Sequence, residues 1–86
     1  MDKSATELGG ILAEMYNNAP QKRLVTMVHL FAIQYHEDIQ KLGKTGIKEV
    51  VEASGIGSNY HAEVNKGINL AEYVYVIPKH THKEAK

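Results

Sequence analysis

The chain has 86 residues, with ten basic and ten acidic groups and no cysteine. That length leaves room for one domain with a modest core, and the missing thiols exclude a disulfide framework and thiolate metal sites, as suits a reducing compartment. A formal net charge of zero argues against the indiscriminate grip on nucleic acid that a basic surplus provides.

No stretch approaches the length of a membrane-spanning helix. The first twenty residues lack the basic start and unbroken apolar run of a signal peptide. A cytoplasmic protein is therefore expected. Charge is unevenly spread: acidic residues lead in 1–20 and 49–78, whereas basic residues lead in 21–48 and in the tail from Lys79 to Lys86. Lys41, Lys44 and Lys48 form the tightest basic group, where phosphates can be met or where a turn is simply well solvated.

The first predicted helix starts at Ser4 or Thr6 and runs to about Asn18, with Leu8, Ile11, Leu12 and Met15 on one face. Gly9-Gly10 interrupts it; each glycine inside a helix costs about 0.5 to 1 kcal/mol relative to alanine, so this helix depends on packing or marks a close approach by another. Asn17-Asn18-Ala19-Pro20 breaks the chain, with Pro20 suited to the first turn of a new helix.

The longest periodic run lies between Gln21 and Leu42. Leu24, Val28, Phe31, Tyr35, Ile39 and Leu42 form an apolar stripe that Val25, Met27, Leu30, Ala32 and Ile33 widen. One long helix, Leu24 to Leu42, buried on more than one side or at a subunit contact, is the expectation. Gly43 ends it. Gly43-Lys44-Thr45 echoes the close of a phosphate-binding loop, but Asp38 occupies the position of that motif's first glycine, which rules out a nucleotide site of this kind.

Thr45 to Gly67 predicts two short helices around a tight turn. Ile47, Val50 and Val51 share one face of the first; Ser54-Gly55 stops it, since Gly55 tolerates the left-handed conformation of a helix end, and Ile56 folds back. Ser58 is the expected N-cap of the second, Tyr60 and Val64 its buried side, and Gly67 its end. Helix, glycine turn, helix is the pattern of a helix-turn-helix unit, although bundles that touch no nucleic acid share it.

Ala53-Ser54-Gly55-Ile56, Ser58-x-Tyr60-x-x-Glu63-Val64-x-Lys66-Gly67 and Leu70-Ala71-x-Tyr73-Val74, with Leu30-Phe31-Ala32-Ile33-x-Tyr35 upstream, resemble small bacterial proteins with a helix-turn-helix-like domain. The resemblance covers about two thirds of the chain. It implies that fold and presumed DNA binding, and it brings no catalytic residue.

Tyr73-Val74-Tyr75-Val76-Ile77, closed by Pro78, predicts a β-strand. A lone strand invites pairing with another copy, so a homodimer through Tyr73 to Ile77, or through the apolar helix Leu24 to Leu42, is expected; the alternative is an edge packed on its own domain. The whole reads as a mainly α helix-turn-helix bundle of about four helices with a short C-terminal strand: one domain over 1–78 and a flexible tail over 79–86.

Within that reading the chain is a sequence-specific regulator of double-stranded DNA. Lys44 and Lys48 are candidates for phosphate contact, and Ser58, Asn59, Glu63 and Lys66 for the reading edge, with Ala62 beside them. Asn59 suits adenine, Glu63 the amino group of cytosine, and Lys66 guanine or phosphate; Glu63 also suits an ion pair within the fold, and His61 suits either core or groove. Neither His29 with His36 nor His80 with His82 assembles a ligand set. His36-Glu37-Asp38 gathers no nucleophile or oxyanion donor, so neither catalysis nor a cofactor is expected. The competing readings are a protein-interaction adaptor with the same fold, and a subunit of a DNA-processing complex without affinity of its own.

Overall fold

The computed structural model describes residues 3–77; the expected tail at 79–86, with His80 and His82, lies outside them, as does Pro78. Five α-helices are present in the described residues: α1 Ala5–Asn17, α2 Leu24–Gln34, α3 His36–Gln40, α4 Gly46–Ser54 and α5 His61–Leu70, with a 3-10 turn at Ser58–Tyr60.

Two helix pairs make the scaffold: α1 lies along α4, α2 lies along α5, and α1 also touches α2. Ser4 opens α1 through a reciprocal capping box, its hydroxyl accepting from the Glu7 backbone N–H at 3.1 Å while the Glu7 carboxylate accepts from Ser4 N–H at 2.8 Å. Both pairs cross closely at a glycine. A Cβ on Gly9 would sit 2.5 Å from Ala53 Cβ, and one on Gly67 would drive into Ala32 Cβ and lie 2.9 Å from the His29 carbonyl oxygen.

The core takes residues from every helix: Leu8, Leu12, Val28, Phe31, Ala32, Ile39, Val50, Val51, Val64 and Ile68. Burying a side chain such as Phe31 or Leu12 contributes about 1.5 to 3 kcal/mol each. The apolar stripe of α2 therefore faces inward at Val28 and Phe31 as its spacing predicts, while Leu24 and Val25 stay exposed.

Several expectations are corrected. The run Leu24 to Leu42 is two helices, because α2 ends at Gln34 and Tyr35 has φ −112°, ψ 20°; the His36 ring donates from Nδ1 to the Ile33 carbonyl at 2.9 Å, satisfying an acceptor that the helix end leaves without a partner. That break raises the helix count from about four to five.

Tyr73 to Ile77 forms no strand. A turn at Ala71–Tyr73 leads into irregular chain, and no strand is found among the described residues to supply a ladder. Ser58 opens the 3-10 turn without capping through its side chain, and Tyr60 occupies the N-cap position of α5. Gly67 lies inside α5, which runs on to Leu70, because the glycine serves the crossing with α2 rather than a helix end. Pro20 likewise belongs to a turn, its carbonyl accepting from Arg23 N–H at 3.0 Å, ahead of α2.

Candidate nucleic-acid interface

The turn between α4 and α5 is built by Ser54, Gly55 and Gly57. Gly55 has φ 74° and Gly57 φ 120°, both in the region glycine occupies without strain. The Ser54 hydroxyl donates to the Val51 carbonyl at 2.6 Å and accepts from Ile56 N–H at 3.3 Å, joining the last turn of α4 to the chain that leaves it. Ile56 packs back on the core as its position predicts.

Tyr60 then anchors the 3-10 turn. Its hydroxyl lies 2.9 Å from the Tyr16 hydroxyl and its ring meets the Tyr16 ring edge to face, with centroids 5.2 Å apart. That hydrogen bond, followed by partial burial and the nearby Glu63 charge, pushes the Tyr60 phenol above its ordinary value. The start of α5 is thus tied to α1 on one side, while Val64 and Ile68 bury its other side against the core.

What remains of α5 faces outward. Ser58, Asn59, His61, Ala62, Asn65, Lys66 and Asn69 are all exposed. His61, Asn65 and Asn69 follow each other at four-residue steps, the complement of the buried Val64 and Ile68, and this row was readable from spacing once those two were assigned to the core.

Glu63 is half-buried and turned back. Its Oε1 lies 2.7 Å from His29 Nε2 on α2, and its Oε2 lies 3.6 Å from Lys66 Nζ. The bond to His29 first, with the Lys66 charge adding to it, holds the Glu63 carboxyl below its ordinary value. His29, separated from Glu63 by 34 positions, is the participant that sequence reasoning missed.

Lys44 and Lys48 are exposed but stand apart from this edge, before and within the first turn of α4, at the end opposite the glycine turn. Glu49 and Glu52 are exposed on the same helix, and Glu49 accepts from the Thr45 hydroxyl at 2.8 Å. Ser58, Asn59 and Lys66 are exposed at or beyond the glycine turn, and the two lysines of α4 form a separate group.

No group of three or more acidic, histidine or cysteine side chains suited to a metal ion forms among the described residues. Among the same residues no helix is long and apolar enough to cross a membrane.

A helical domain whose last two helices flank a glycine turn, with the outer edge of the second left bare, is of the helix-turn-helix-like class. The profile of the HTH-like domain family matches residues 4–77. The chain belongs to that family. Comparison with curated proteins and with solved structures finds no match in either.

Proposed function

We propose that the chain binds double-stranded DNA by laying the Ser58–Lys66 edge into the major groove, and that it acts as a cytoplasmic regulatory protein through recognition rather than catalysis. The observation that carries this reading is the composition of the exposed edge: hydroxyl, amide, imidazole and ammonium groups, with its one carboxylate, Glu63, drawn back onto His29 and Lys66. A carboxylate held in that way repels phosphate less than an exposed one, and amides are the side chains that pair with adenine through two bonds. Membership of the HTH-like domain family supports the same reading.

In this proposal Asn59 and Asn65 read bases, Lys66 meets guanine or phosphate, and Lys44 and Lys48 hold phosphates where the DNA backbone passes the start of α4. Glu63 positions Lys66 rather than reading cytosine. Two copies acting together present two such edges to half-sites about one helical turn apart.

Binding of labelled genomic fragments at several salt concentrations tests the reading. Binding to a subset of fragments that weakens steeply with salt is expected; no salt-dependent binding to any fragment would sink it.

A second reading, an adaptor with no DNA contact, is favoured by one feature. Tyr73, Tyr75 and Ile77 are widely exposed next to the reading helix, as a protein-binding surface would be. Retention of a protein partner with DNA binding absent is its signature.

A further inference from the structure

The end of α5 presents an apolar surface left exposed among the described residues. Tyr73 is 82% exposed, Tyr75 83% and Ile77 61%, with Leu70 and Val74 exposed beside them. At their base a shallow groove between α2 and α5 is lined by His29, Lys66, Asn69, Leu70 and Tyr73. Val25, also exposed, lies one helical turn before His29 on α2.

We propose that a second copy of this chain covers this face, packing about a two-fold axis so that Tyr75 and Ile77 of each copy enter the groove of the other. Three observations select that occupant. The surface contains both a protrusion and a recess, which is what a self-complementary isologous contact requires.

Its area is also sufficient. A tyrosine buries about 150 to 250 Å², so four rings exposed to this degree present roughly 500 to 800 Å²; the aliphatic side chains of both copies bring the total to about the 1,000 Å² expected of a specific interface.

Charge permits the contact as well. The chain is neutral overall, so no net charge opposes the approach of two copies. The packing needs no β-ladder; its groove shares Lys66 with the DNA-binding reading, and because its test reads mass alone the two readings fail separately.

Sedimentation equilibrium across a dilution series of the intact chain is expected to give twice the 9.6 kDa chain mass, falling to the single mass on dilution. Tyr73→Lys combined with Tyr75→Lys is expected to abolish the doubling with an unchanged helical circular dichroism spectrum, since both rings lie outside the core. A single mass at every concentration overturns the proposal, even if this face captures some other protein. A dimer that survives both lysines overturns it too.

Discussion

Glu63 Oε1 and His29 Nε2 meet at 2.7 Å, joining α5 to α2 across 34 positions of sequence. An ionised carboxylate only accepts, so the imidazole supplies the hydrogen from Nε2. Because the Glu63 carboxyl titrates below its ordinary value in the folded chain, its contribution to stability is fully present above about pH 4.3, the unfolded value, and is lost as pH falls through the folded one. Glu63→Gln is therefore expected to flatten the acid limb of stability. Urea unfolding midpoints measured through the acidic range check this; parallel curves for the two proteins would remove the pair from the account.

The glycine crossings predict opposite outcomes for chemically identical changes. Gly67→Ala forces α5 away from Ala32 and the His29 carbonyl, an overpacking expected to cost about 1 to 3 kcal/mol. Gly10→Ala meets nothing within 4 Å and is expected to stabilise by about 0.5 to 1 kcal/mol through helix propensity. Denaturant titration of the two variants measures both signs.

Tyr16 and Tyr60 predict a shift in titration. The phenol of Tyr60 ionises later than usual because Tyr16 shares a hydrogen bond with it, so the bond supports the fold below the ordinary tyrosine value of about 10 and fades as pH rises through the folded one. Tyr16→Phe should move the Tyr60 transition back toward the ordinary value, read by ultraviolet absorbance. An unmoved transition would show that the two hydroxyls do not share a proton in solution.

If α5 enters the major groove, the two groups of candidate contacts separate in their salt behaviour. Lys44→Ala and Lys48→Ala should each lower the salt slope by about one unit and weaken all sequences alike, whereas Asn65→Ala should leave the slope and relax preference at one position. Fluorescence anisotropy on matched duplexes distinguishes the two patterns.

Much of the helical plan was legible in the sequence. Ser4, one of two expected starts beside Thr6, caps α1, and the steps from Val28 to Phe31 and from Val50 to Val51 put the correct side chains in the core. What escaped reading depends on partners distant in sequence or on competition for a single group. The break at Tyr35 lies inside an uninterrupted apolar stripe and is accompanied by an imidazole taking the Ile33 carbonyl.

Tyr73 to Ile77 has strand-forming residues, yet strand preference largely reflects packing on a pleated surface. The described chain offers no such surface. At the site, Asn59 and Lys66 were readable as exposed groups, but the fate of Glu63 depended on His29, which no local pattern connects to it.

The pairing of α1 with α4 and of α2 with α5 interleaves the chain, so each pair closes around a segment belonging to the other. The two most extensive helix pairings are both non-local, and the loop-closure entropy must be met twice before the core rewards it. This small helical protein should consequently refold more slowly than a simple up-down bundle of equal length. During synthesis α1 can find α4 before α5 emerges, whereas α2 gains its partner only once Gly67 arrives to cross at Ala32 and His29.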